Sequence, residues 1–350
     1  MTPTDRPRLA VRSPADLLAA VPYLLGFHPA DSVVVVAFRG RRVVFAARAD
    51  LPEPGTDPRP AARHLVEVVG RQETDSATVI GYGPAARVTT VVDAVGEALD
   101  TAGTLVLDAL RVTDGRWWSY LCAEPECCPA DGTPYDPVTS EVSAAAVFAG
   151  QVALPDRAAL TAQVSALDGP VRVAMRRATA RARGRLGALT EEASETVLAG
   201  GRSVRSAGVA AVRTAFRRHR RGERLTDDEV AWLTVLLTRL PVRDHAWERT
   251  DGRDTDISLW TDVLRRAEPE LIAAPGSLLA FAAWRAGHGA LAVVALERVL
   301  ATHPGYSLAV LLDDLLRGGL PPSALDGWPQ VGLPGVVRRR SRRRFSRRHI

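Results

Sequence analysis

Apolar and polar positions change rhythm partway along the chain. Near the N-terminus, Leu17, Leu18, Val21 and Leu25 recur at helical spacing behind Ser13-Pro14, a capping residue followed by a first-turn proline, with Asp16 three residues after the cap. Pro22 is expected to end or kink this helix, and Gly26 to close it. Short apolar runs follow at 33–38 and 43–49, joined by a tight turn containing Gly40, and predict a β-hairpin. An amphipathic stretch at 61–69 predicts a helix, 77–82 a buried strand and 85–99 a second helix. The runs 105–112 and 117–122, either side of Thr113-Asp114-Gly115, predict another hairpin. The order β-β-α-β-α-β-β predicts an α/β fold with a mixed sheet and helices on at least one face.

Beyond Thr139 the two-residue alternation fades and helical periods take over. Helices are predicted at 140–149, 156–167, an arginine-rich 171–185, and 225–240, where Thr226 and Glu229 have capping-box spacing and Pro241 is expected to stop the helix. Segments 277–286, 290–301 and 307–316, with Ala280, Ala283 and Ala292 at close-packing positions and Pro304 between the last two, have the layout of a tetratricopeptide-like hairpin. An ordinary alanine-rich bundle is the plainer alternative. The expected organisation is therefore a mixed α/β domain over 8–136, an all-α helical domain over 139–325 and a disordered arginine-rich tail over 326–350.

Charge changes this picture locally. The whole chain carries +5, but the tail from Arg338 contributes +8 and the segment 172–224 contributes +10, leaving −13 elsewhere. A generally cationic nucleic-acid binder is therefore not implied. The tail arginines Arg338, Arg339, Arg340, Arg342, Arg343, Arg344, Arg347 and Arg348 are expected to bind polyanions non-specifically, with steep salt dependence. The 172–185 helix is expected to turn its arginines to solvent, with an interaction face as the alternative. Lysine is absent, which reads as codon bias of a GC-rich genome. The apolar run 17–27 falls well short of the roughly 20 residues that span a bilayer and makes a poor signal peptide, so the expectation is a cytoplasmic protein without a membrane partner.

The scarce residue types gather in Arg116–Asp136, which holds all three cysteines. Cys122, Cys127 and Cys128 are one thiol short of a four-cysteine zinc site and lack Cys-x2-Cys spacing; His28 or His64 could supply a fourth ligand, but the expectation is free thiols and no metal. Arg116 could lower a cysteine pKa. Strand alternation places Trp117 and Ser119 on one face and Arg116, Trp118, Tyr120 and Cys122 on the other, so one tryptophan belongs to the core. Trp118, Tyr120 and Arg116 could floor a binding site capped by the loop from Cys127 to Thr133. The loop 27–32 offers His28 and Asp31, with Asp31 read first as a turn residue. If the two loops meet, His28, Asp31, Arg116, Ser119 and Cys127 form a pocket with acid/base capacity. Walker A, G-x-G-x-x-G, H-E-x-x-H and G-x-S-x-G patterns are absent, so no reaction and no cofactor follow.

Three stretches, SPADLLAAVPYLLGFHPADSVVVV (13–36), RWWSYLC with CCP and GTPYD (116–136), and AAWRAGHGALAVVALERVLATHPGYSLAVLL (282–312), carry a resemblance across nearly the whole chain. By them the chain resembles an actinobacterial family known as domain of unknown function 4192 (DUF4192). The resemblance carries over no activity, cofactor or catalytic residue. The first expectation for function is a non-enzymatic binding or scaffold protein whose helical domain contacts a protein partner. An enzyme using the 27–32/116–133 pocket and a nucleic-acid binder acting through the tail are the alternatives.

Overall fold

The computed structural model describes residues 11–194 and 200–325. The arginine-rich tail expected over 326–350 lies outside the described residues, apart from which the chain begins with α1 (Pro14–Leu25) and the hairpin β1 (Ser32–Arg39) and β2 (Arg42–Asp50). Then come α2 (Arg59–Gly70), β3 (Ser76–Tyr82), α3 (Ala85–Thr101), β4 (Leu105–Thr113), β5 (Arg116–Ser119) and a short β6 (Thr133–Pro134). They form a six-stranded mixed sheet in the order β2-β1-β3-β4-β5-β6, in which only the β3–β4 pair is parallel.

The sheet is covered on both faces. Val33, Val35, Ala37, Ala77 and Val79 pack towards α2 and α3, whereas Val34, Val36, Ile80 and Leu110 pack towards α1. Two-sided burial explains why β1 and β3 read as continuous apolar runs without alternation. Gly81 is required by this packing, since a Cβ there would lie 2.0 Å from Val88 Cγ1 on α3. Ser13 caps α1 by accepting from the Asp16 amide, while Asp16 accepts from Arg12. Pro22 does not end α1: the helix runs three residues further, and Gly26, at φ 84°, closes it through its amide to the Pro22 carbonyl.

Helices make up the rest: α4 (Glu141–Phe148), α5 (Arg157–Val164), α6 (Pro170–Ser194), α7 (Gly200–Arg220), α8 (Asp227–Leu236), α9 (Leu240–Trp247), α10 (Asp254–Arg266), α11 (Ala273–Arg285), α12 (Gly289–Thr302) and α13 (Ser307–Arg317). The helix expected over 225–240 is shorter: α8 ends at Leu236, and α9 is a further helix that starts at Leu240. Thr226 and Glu229 form the expected capping box of α8, but Pro241 opens α9, where a missing amide costs nothing, and does not stop its predecessor. The arginine-rich helix runs past Arg185 to Ser194, and α7 and α10 are additions to the elements expected. Helices α11 and α12 pack closely at Gly276, where a Cβ would lie 2.3 Å from Val299 Cγ2. One large core fills this part and takes in Phe27 from the end of α1.

The sheet and the helices are joined by several contacts. Phe27 bridges to Leu154, Ala19 and Ala20 pack on Val142, and Arg71 and Gln72 at the end of α2 donate to the Gly318 and Gly319 carbonyls after α13.

Candidate functional site

The stretch 116–136 folds into a knuckle at the β5–β6 edge of the sheet. The strand expected over 117–122 stops at Ser119, whose hydroxyl takes the amides that would continue it: Oγ donates to Asp108 Oδ1 (2.7 Å) and accepts the Leu121 and Cys122 amides (3.1 Å each). The Cys127 and Cys128 amides both donate to the Glu124 carbonyl, at 3.1 and 2.7 Å, which folds the chain back over Cys122. The chain returns as β6, with Thr133 paired to Trp117. In consequence the sulfurs of Cys122, Cys127 and Cys128 all lie within 4.8 Å of one another, and those of Cys127 and Cys128 are 3.8 Å apart.

The rest of the knuckle holds this arrangement. Arg116 Nη1 donates to the Gly132 carbonyl (2.7 Å) and to Asp131 Oδ2 (3.1 Å), so its charge clamps the returning loop and is not among the groups acting on a cysteine. The Cys122 thiol is instead held below its ordinary pKa by the Cys128 thiol and the Glu124 amide, while the same contact pushes Cys128 up to about 12. Trp117 is buried in the core facing α1. Trp118 is half-buried, stacks under the Arg111 guanidinium at 3.8 Å and donates Nε1–H to the Ala130 carbonyl (3.1 Å). Tyr120 turns to α3, its hydroxyl 2.8 Å from Thr89 Oγ1. Trp118 and Tyr120 are thus occupied by the protein itself and do not form an open binding floor. Asp108 and Arg111 belong to this assembly and escaped the sequence reading, because β4 meets β5 only in three dimensions.

The geometry brings Arg116, Trp118, Ser119 and Thr133 together with the cysteines and leaves His28 and Asp31 apart. Strands β3 and β4 stand between β1 and β5, which sets those two strands about 14 Å apart across the sheet at about 4.8 Å per strand. His28 donates its amide to the Leu154 carbonyl, and burial lowers its imidazole pKa. Asp31 is a turn residue at φ 42°, its carbonyl accepting the Leu51 amide and its carboxylate 3.9 Å from Arg87. His64 lies on α2, and neither histidine is part of the sulfur cluster.

At the opposite edge of the sheet a cavity of about 910 Å3 opens between β2, α2 and the helices α11 to α13. Its walls include Leu24, Phe27, Leu65, Val68, Trp284 and Leu316. Every residue from Val43 to Asp50 lines it, so β2 meets the cleft with its edge and not with one face. A bulge at Val44 leaves that side chain 42% exposed. The ion pairs Arg157–Glu297 and Arg317–Asp313, each 2.6 Å, stand at the rim.

The arginines of α6 are largely engaged within the molecule. Arg172 reaches Glu268 at 3.2 Å, Arg181 reaches Asp228 at 2.5 Å, Arg183 reaches Glu270 at 2.6 Å, and Arg185 lies 4.2 Å over Trp232. Arg172 is the part-buried one of these, whereas Arg176, Arg177, Arg181, Arg183 and Arg185 stay exposed, as the sequence suggested for a solvated face. Among the described residues no helix is long and apolar enough to cross a membrane.

No curated protein and no solved structure matches the chain. A family model described as Domain of unknown function (DUF4192) matches residues 14–323. That span starts with α1 and ends beyond α13, so it takes in the sheet, the cysteine knuckle and the cleft together: the chain belongs to the DUF4192 family.

Proposed function

We propose that this is a non-enzymatic binding protein that holds an extended segment of a protein partner in the cleft between β2 and the helices α11 to α13. One observation carries the reading: β2 is the terminal strand of the sheet, and its whole length from Val43 to Asp50 borders the cleft. A terminal strand presents backbone amides and carbonyls without a neighbour, and an extended peptide laid beside it completes their hydrogen bonds. Alternate side chains of that peptide would fall between apolar walls, Leu65 and Val68 on one side and Leu24 and Phe27 on the other. Main-chain pairing supplies affinity in such a mode, and the alternating side-chain positions supply specificity. The helical part contributes the facing wall, and a tetratricopeptide-like role for α11 to α13 belongs to the same reading.

Selection of random peptides displayed against the purified full chain tests it. Enriched peptides should alternate apolar and polar residues, and should lose at least about tenfold in affinity, about 1.4 kcal/mol, to Val44→Asp and to Leu24→Asp. Both side chains are exposed apolar groups of the cleft, so these changes leave the core intact. Peptides that bind both variants as well as the unaltered chain, or no enrichment at all, would overturn the assignment.

A further inference from the structure

We propose that Cys122, Cys127 and Cys128 form a three-thiolate site for a thiophilic closed-shell cation, with Zn2+ as the expected occupant. The spacing of the cysteines in sequence gave no reason to expect one; the fold supplies it. Three sulfurs lie mutually within 4.8 Å on a loop whose backbone is turned by the Glu124 carbonyl. Two of them are 3.8 Å apart, and sulfurs about 2.3 Å from a tetrahedral Zn2+ are themselves separated by about 3.8 Å. Vicinal cysteines commonly point away from each other along an extended chain. Here the turn at Glu124 to Cys128 brings both side chains to the same side, facing Cys122.

The surroundings have the features of a supported site. Ser119 fixes the Cys122 backbone and is itself fixed by Asp108, a chain of hydrogen bonds that runs back into β4. Arg116 ties down the other end of the loop through Gly132. Such outer contacts hold ligands in place before the metal arrives. Each thiol that becomes a ligand would release its proton to solvent. Three sulfur donors favour Zn2+ or Cu+ over the hard ions Mg2+ and Ca2+, which take oxygen. Among the described residues the cluster contains three cysteines and no other ligand-bearing side chain, so water or an exogenous donor would complete a tetrahedral Zn2+. The site lies at the β5–β6 edge, with the rest of the sheet between it and the β2 cleft, and its readout is independent of peptide binding.

The test uses the full chain, reduced and freed of metal, titrated with Zn2+ against a chromophoric chelator. Co2+ serves as a spectroscopic stand-in, and X-ray absorption counts the sulfurs around zinc. One ion per chain is expected, with thiolate-to-cobalt charge-transfer bands and three sulfurs at about 2.3 Å. Cys122→Ser and Cys127→Ser should each weaken binding at least tenfold. Cys127 is exposed, so its replacement keeps the fold, which circular dichroism verifies. Competing Cu+ titration reads which cation the same sulfurs prefer, and uptake of either with loss in the serine variants supports the site. Failure to bind either ion at one equivalent, or binding that the serine variants leave unchanged, overturns it.

Discussion

Gly132 is the residue on which the knuckle turns. It sits at φ +80°, and a Cβ added there would lie 2.4 Å from Cε2 of Trp118. Gly132→Ala therefore combines a left-handed backbone with a steric conflict against a ring already held by Arg111 and the Ala130 carbonyl. A loss of about 1–3 kcal/mol is expected in urea unfolding, and an unchanged midpoint would show that the loop yields freely. The thiols give a second residue-scale expectation. Because the Cys122 pKa lies below the ordinary thiol value and that of Cys128 stands at about 12, alkylation of the reduced, metal-free chain at slightly alkaline pH should label Cys122 well before Cys128. Lowering the pH slows both reactions and keeps that preference, whereas strongly alkaline pH ionises Cys128 as well and should close the gap. Peptide mapping of the iodoacetamide adducts measures it, and equal labelling of the two at slightly alkaline pH would contradict the arrangement. The sequence singled out these cysteines by their scarcity, yet their convergence depends on Ser119, Asp108 and Glu124, whose parts are played by backbone and hydroxyl contacts that carry no sequence pattern.

Among the elements, α8 was the most legible, since its cap is chemical and local. The Thr226 hydroxyl accepts the Glu229 amide, and the Glu229 carboxylate accepts the Thr226 amide at 2.8 Å. Thr226→Ala should cost about 1 kcal/mol. Burial alone would raise the Glu229 pKa, but the Thr226 amide and Arg218 together hold it below the ordinary carboxylate value. With a folded-state pKa below the unfolded one, the stabilisation is present above the unfolded value and fades as pH falls through the folded one. Glu229→Gln should therefore lower the melting temperature at neutral pH and have less effect in acid; an equal drop at both would assign the cap no electrostatic part. Other elements were hidden for physical reasons. The amphipathic period of α7 is diluted by arginine and by Gly200 and Gly201, and β6 is only two residues long and exists through its pairing with β5. The signal for α10 was present in the spacing of Leu259, Trp260, Val263 and Leu264 behind Asp254 and Asp256.

At the scale of the whole molecule, the change from strand to helix signals near Thr139 suggests two separable domains, and the packing gives a way to ask whether they unfold as such. Phe27 follows the helix that covers the sheet, yet its ring, 2% exposed, belongs to the core built by the C-terminal helices. Its backbone bridges to Leu154, and the Arg71 and Gln72 side chains hold the segment after α13 against α2. These contacts tie the two parts at two places far apart along the chain. If they couple the parts strongly, heat unfolding of the full chain is a single transition whose calorimetric and van't Hoff enthalpies agree. Phe27→Ala, which removes a buried ring at the junction, should then lower that one transition by the about 3–5 kcal/mol typical of such a truncation. The opposite result is equally readable: two transitions, with only the helical one shifted by Phe27→Ala, would mean that the sheet and the helices are independent domains meeting at a weak interface. The cleft along β2 would in that case open and close with the motion of one domain against the other. A single transition makes it a fixed feature of one cooperative fold, and a partner strand would meet a groove already shaped to receive it.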